Sequence, residues 1–206
     1  MEVSVKYFYA VVGWILWCTF HSALISITVT EYVKRKLGNG FRFYRLFYNV
    51  VSVTTLIPLI YYSRMIREAP VFYWEGPLAI IQVFLLTASI YLFVAGGRHY
   101  SWAQFCGIAQ IRAGRADGSL CKCDSFVMSG IHRIIRHPWY LGGMMIVWVE
   151  NLSISTILIN IIISVYFVVG SFLEERKLVR EFGDKYREYQ QTVSMLFPWR
   201  WLKAKI

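Results

Sequence analysis

Residues able to do chemistry gather in two places along the chain. The first is Gly130-Ile131-His132-Arg133-Ile134-Ile135-Arg136-His137-Pro138-Trp139-Tyr140-Leu141-Gly142-Gly143, which packs imidazoles, guanidinium groups, a phenol and a glycine pair into one short stretch. Pro138 suits the first turn of a helix, where its missing N–H is not needed, so Arg136 and His137 fall just ahead of a helix N-terminus. Free backbone donors at such an end favour an anionic group, for instance a ligand carboxylate. Gly142 and Gly143 let a ligand or another helix come close to the backbone. The plainer alternative is that Arg133, Arg136 and His137 are membrane-flanking positive charge and that the glycines only pack helices.

The second place is Glu174-Glu175, followed by Leu178, Phe182, Gly183, Tyr186, Tyr189 and Val193. Carboxylates accept hydrogen bonds from cationic groups and from hydroxyls. The two glutamates precede Leu178 by four and three residues, so both flank the apolar stripe, and one can meet a ligand while the other holds a nearby Arg or Lys. Read without a ligand, they are acidic residues stabilised by a helix dipole. His21 lies inside an apolar run, where an imidazole needs a partner. Packing with a hydrogen bond to another span meets that need; activating a substrate is the other possible role. Cys121-x-Cys123 has no second matched pair, so no metal site is expected there. Free thiols are expected at Cys106, Cys121 and Cys123. His99 reads as a loop residue.

The element that must position these groups is a set of membrane helices. With 57% hydrophobic residues, 17% aromatic residues and a mean hydropathy of +0.46 over 206 residues, the chain is too apolar for an ordinary soluble domain. An all-α integral membrane protein is expected, forming one membrane domain over 1–206. A helix needs about 20 apolar residues to cross ~30 Å of hydrocarbon. Uncharged runs place spans at about 7–29, 46–63 and 76–97, then a hairpin of spans at about 134–149 and 151–173. Span four is odd, because Pro138–Val149 alone would rise only about 18 Å. Either it begins upstream, or it is only partly immersed. The first run has neither a basic flank before it nor a small-residue cleavage site after it, and reads as a retained span. Beyond span five an amphipathic helix is expected over about 174–193, and Pro198 with Trp199 and Trp201 suggests an interfacial anchor.

A net charge of +10 raises the question of nucleic acid, but the Lys and Arg residues sit between the apolar runs. Nucleic-acid binding is therefore not expected. Nineteen of the 22 fall on one side of a five-span arrangement, which predicts an outside N-terminus and a cytoplasmic C-terminus. The partners expected are membrane lipids and a small or lipid-like substrate; the oligomeric state is left open.

Arg136-His137-Pro138-x-Tyr140, preceded by Gly130 and followed by Gly142, is similar to the signature of the isoprenylcysteine carboxyl methyltransferases and their bacterial and archaeal relatives. Glu174-Glu175-x-x-Leu178-x-x-x-Phe182-Gly183-x-x-Tyr186-x-x-Tyr189, with Pro198 beyond, resembles the C-terminal region of the same family. The two blocks occur in the family's order and, with the hairpin between them, cover about the last 75 residues. In the front half, Phe20-His21-Ser22, Tyr44-Arg45-Leu46-x-Tyr48-Asn49 and Phe105-x-Gly107-x-x-Gln110 look like the bacterial branch that holds the nitric-oxide-response membrane proteins and the methanethiol S-methyltransferases.

The resemblance implies an S-adenosylmethionine-dependent methyltransferase with its cofactor at the cytoplasmic side and an acceptor arriving from the bilayer. It assigns Gly130, His137, Pro138, Tyr140, Glu174 and Glu175 to the cofactor pocket. Arg136, facing the cofactor carboxylate, and His21, facing the acceptor, are the candidates for carrying the reaction. A small thiol is the expected acceptor, with prenylcysteine carboxylates and lipid amines as alternatives. A nicotinamide-dependent membrane reductase shares a His-Pro-x-Tyr segment but calls for Asn after the Pro and an Arg-Asp-Glu run where this chain has Glu174-Glu175-Arg176. A non-catalytic nitric-oxide-response protein is the third reading.

Overall fold

The computed structural model of the chain describes residues 2–98, 101–113 and 130–205. His99, Cys121 and Cys123 lie outside them. In chain order the α-helices are α1 (Glu2–Leu24), α2 (Ile27–Leu37), α3 (Tyr44–Met65), α4 (Leu78–Gly97), α5 (Trp102–Cys106), α6 (Ile108–Ala113), α7 (Pro138–Val147), α8 (Ile154–Phe182), α9 (Asp184–Thr192) and α10 (Trp199–Lys203). Short 3-10 turns cover Gly38–Phe43 and Gly130–Arg133. Among the described residues β-structure is limited to isolated bridges, Phe72 with Leu152 and Ile135 with Ser194. The protein is an all-α membrane protein. Four helical stretches, Ser4–Leu24, Ile27–Met65, Leu78–Gly97 and Ile154–Phe182, are long and apolar enough to cross a bilayer.

Helix boundaries depart from the hydropathy runs where backbone chemistry intervenes. The expected first span, 7–29, breaks after Leu24 because the Ser26 side chain accepts from Val29 N at 3.3 Å and starts α2 as a new, basic helix. In the fourth expected span only α7 is an α-helix, ten residues rising about 15 Å. The expected boundary at Glu174 is not a helix boundary. Glu, Arg, Lys and Leu are all good helix formers, so α8 runs through Glu174 and Glu175 until Gly183, at φ +59°, allows the chain to turn into α9.

The chain divides into two compact units. The described residues within 1–68 and 100–122 form one, in which α1 runs along α3 through a seam of hydrogen bonds: Trp14 to Ser63 at 2.9 Å, Trp17 to Thr55 at 3.1 Å, and His21 to Ser52 at 3.0 Å. Such polar seams hold helices together where lipid offers no hydrophobic drive. Arg45 Nε and Asn49 Nδ2 of α3 donate to the Phe105 carbonyl at 3.2 and 3.0 Å, tying down α5.

The described residues within 69–99 and 123–206 form the other unit. Here α7 packs on both α4 and α8 through its glycines. Buried Ser89 donates to Gly142 O at 2.9 Å, and a Cβ on Gly143 would stand 2.7 Å from the Phe167 ring. The far end of α7 is held by Asn160 donating to Val147 O and Gln82 donating to Val149 O, at 2.6 and 2.8 Å. The glycine pair thus serves close helix packing, and that packing places the start of α7 beside the middle of α8.

Candidate functional site

The approach to α7 is built by apolar anchors. Gly130, at φ +56°, opens the 3-10 turn, and Ile131 and Ile135 bury against Leu92 of α4. From Ile135 to Pro138 the chain lies beside the C-terminal tail, bridged at Ile135 and Ser194. Arg136 N donates to Ser194 O at 2.9 Å and His137 N to Met195 O at 3.1 Å. Tyr186, Tyr189 and Val193 form a second buried cluster under this segment. Burial pushes the Tyr189 hydroxyl well above the usual phenol range, and it remains an O–H donor, to His132 O at 2.6 Å.

Pinned at both ends, the Arg136 and His137 side chains meet Glu175 from α8. Arg136 Nε donates to Glu175 Oε1 at 2.6 Å, with both side chains under a tenth exposed. His137 Nε2 lies 3.2 Å from the same oxygen, and Gln190 of α9 donates to Oε2 at 2.7 Å. The remaining Arg136 contacts are Nη1 to the carbonyls of Gln190, at 3.1 Å, and Val193. A buried carboxylate and guanidinium are tolerable only with this degree of mutual satisfaction. Glu174 differs: its side chain is 31% exposed, and Oε2 stands 3.7 Å from His137 Nδ1. The Tyr140 ring is 5.4 Å from the imidazole, between it and Gly170 of α8.

Arg136, His137, Pro138, Tyr140, Glu174 and Glu175 therefore converge, with Gly130 one turn upstream. Arg136, expected to face a ligand carboxylate, has a protein carboxylate instead. His21 lies in the other unit, with Nε2 2.5 Å from Tyr48 OH and its ring stacked on Trp17 at 4.7 Å. Tyr48, Asn49, Arg45 and Phe105, grouped in the sequence by resemblance, fall there into two hydrogen-bonded groups along α3: Tyr48 with His21, and Arg45 and Asn49 with the Phe105 carbonyl of α5. Gln190 and Arg200 were not singled out in the sequence. Gln190 sits among charged residues on an amphipathic helix, and nothing in its spacing separates it from a solvated position.

The donor set fits S-adenosylmethionine chemically. A half-exposed carboxylate suits its ammonium group or ribose hydroxyls, and the start of α7 suits its carboxylate. Among the described residues no group of three or more His, Cys, Asp or Glu side chains is arranged to hold a metal ion.

Comparison with known proteins yields short, consistent matches. The chain is 42% identical over 71 residues to methanethiol S-methyltransferase 1 of Bradyrhizobium diazoefficiens, covering 34% of this chain and 25% of that protein. It is 37% identical over 75 residues to methanethiol S-methyltransferase of Pseudomonas deceptionensis, covering 36% and 29%. With the protein of the same name from Mycobacterium tuberculosis it shares 37% over 70 residues, covering 34% and 29%. The matched segment thus spans between a quarter and three-tenths of the length of these relatives. No solved structure matches the chain significantly. A far longer match is to the family described as NnrU protein, over residues 9–197. That stretch takes in both the His21 cluster of α1 and α3 and the junction of Arg136, His137 and Glu175, and on its extent the chain belongs to the NnrU protein family.

Proposed function

We propose that this protein is an S-adenosylmethionine-dependent membrane methyltransferase whose acceptor is a small apolar thiol. The observation that carries the reading is the meeting of the two blocks at Glu175, which hydrogen-bonds Arg136 and His137 of the Arg136-His137-Pro138-x-Tyr140 segment, with Glu174 3.7 Å from the same imidazole. The thiol follows the relatives, which are named for methanethiol.

When bound, the cofactor supplies an electrophilic methyl group on a sulfonium. The chain's residues then have to hold donor and acceptor in line and keep water away, with no covalent enzyme intermediate. In this reading Glu174 receives the ammonium group or ribose hydroxyls, and the start of α7 receives the carboxylate. His137 and Tyr140 line the wall between them, while Arg136 keeps Glu175 ionised and fixed. His21, in the other unit, is bonded to Tyr48 and Ser52 there, which gives it the partner on another helix that packing calls for, and no step of the transfer is assigned to it.

Calorimetry on purified protein should show binding of S-adenosylmethionine, and labelled methyl should pass to methanethiol in preference to a prenylcysteine or a lipid amine. Transfer to one of the latter would keep the enzyme class and change the acceptor. No binding at millimolar cofactor removes the reading: NADPH binding instead would point to a reductase, and binding of neither to a non-catalytic membrane protein.

Five spans with an outside N-terminus and a cytoplasmic C-terminus complete the proposal, on the strength of the Lys and Arg distribution. A cytoplasmic reporter fused after Ile206 should be active. Activity of a periplasmic reporter at that position would reverse the orientation and put the glutamate pair on the wrong side for a cytosolic cofactor.

A further inference from the structure

A carboxylate held by two donors on one oxygen is still free to swing its other oxygen. At Glu175, Oε1 takes Arg136 Nε and His137 Nε2 at 2.6 and 3.2 Å, and the donor on Oε2 is Gln190 Nε2 at 2.7 Å. A carboxylate can only accept, so the amide nitrogen rather than the amide oxygen must face it. The Gln190 backbone is itself held, its main-chain carbonyl accepting from Arg136 Nη1 at 3.1 Å and Arg200 Nη1 at 2.8 Å. The imidazole is clamped through Nε2, which leaves Nδ1 turned to the half-exposed Glu174 carboxylate at 3.7 Å.

We propose that Gln190 is a positioning residue of the site: by fixing the rotation of the Glu175 carboxylate it sets the orientation and proton placement of the His137 ring. His137 Nδ1 and Glu174 then form the side of the site that a ligand meets. The identity of that ligand rests on the cofactor reading above; the positioning of His137 does not.

The test uses Gln190→Leu, which removes the donor without adding charge, and Gln190→Glu. The second replaces the amide by a carboxyl group of the same shape, which can donate to Glu175 only when protonated. The charged and titratable groups around it are Glu175, Arg136 and Arg200, with His137 and Glu174 behind Glu175 and the buried phenols of Tyr186 and Tyr189, which burial keeps protonated, beside the pair. Two carboxylates this close cannot both stay ionised without one moving, so the Glu variant is defective at pH 8 and recovers toward pH 5.

The first readout is the ¹⁵N spectrum of histidine-labelled protein, with the His137 signals assigned by their loss in His137→Gln and each variant compared with wild type at the same pH. The His137 signals should move in Gln190→Leu at both pH values and in Gln190→Glu at pH 8, and return to the wild-type position in Gln190→Glu at pH 5. The second readout is affinity for S-adenosylmethionine, which should fall roughly tenfold or more in the same samples and recover with the same pH rescue. His137 signals unchanged from wild type in either folded variant at pH 8 would overturn the proposal. Should the Leu variant not fold, the Glu variant at the two pH values still decides it. A wild-type protein that does not bind S-adenosylmethionine defeats the cofactor reading alone, since the ¹⁵N comparison needs no ligand.

Discussion

Glu175→Ala should lower the stability of the folded protein by about 3–5 kcal/mol, because it strips the partner from a buried guanidinium. Arg136 and Glu175 are each less than a tenth exposed, and their 2.6 Å contact joins the segment before α7 to α8. Loss of the carboxylate also leaves His137 Nε2 and the Gln190 amide without their acceptor. Replacing both partners, Arg136→Met with Glu175→Leu, should cost less than Glu175→Ala alone, since no charge is stranded. It will not be neutral, as the carbonyls of Gln190 and Val193 lose the Arg136 donor. Unfolding of purified protein in mixed micelles measures both. A Glu175→Ala protein within about 1 kcal/mol of wild type would mean that Arg136 finds solvent when unpaired, against the burial described here.

This expected result comes from a pairing that the sequence left open. The Arg136 side chain was legible as a cation before a helix start, because Pro138 dictates where α7 can begin. Its partner was legible only as one of the two glutamates, expected to hold an Arg or Lys; which pair forms was not, because Glu175 lies 39 residues away and such a contact leaves no period in the sequence. The expected boundary at Glu174 misled for a related reason. A charge ends a hydropathy run, but it does not end a helix, and only Gly183 supplies a conformation that does. Ser26 shows the converse, a helix break inside an uncharged run, made by a capping side chain that hydropathy does not register. In the front half the need of His21 for a partner on another span was legible, but its partners were not: Tyr48 and Ser52, one turn apart on α3, both reach it.

The second large effect separates ligand contact from architecture. Glu174 and His137 border the ligand-facing side proposed above, but they differ in what else they hold. His137 is buried and bonded to Glu175, so His137→Ala loses both a ligand contact and a structural hydrogen bond. Glu174 is 31% exposed and contributes its carboxylate only at 3.7 Å from the imidazole, so Glu174→Ala leaves the Arg136 and Glu175 pair intact. Both variants should therefore bind S-adenosylmethionine at least tenfold more weakly, the equivalent of a lost charge-assisted hydrogen bond of about 1.5–3 kcal/mol. Only His137→Ala should also unfold at a lower temperature. Arg112→Ala, at the end of α6, removes a basic residue from the other unit and serves as the control for charge alone. Affinity measured on the folded fraction decides between the two roles. If Glu174→Ala binds as tightly as Arg112→Ala, then Glu174 is a solvated charge on the flank of α8, and the cofactor must be sought elsewhere in the protein.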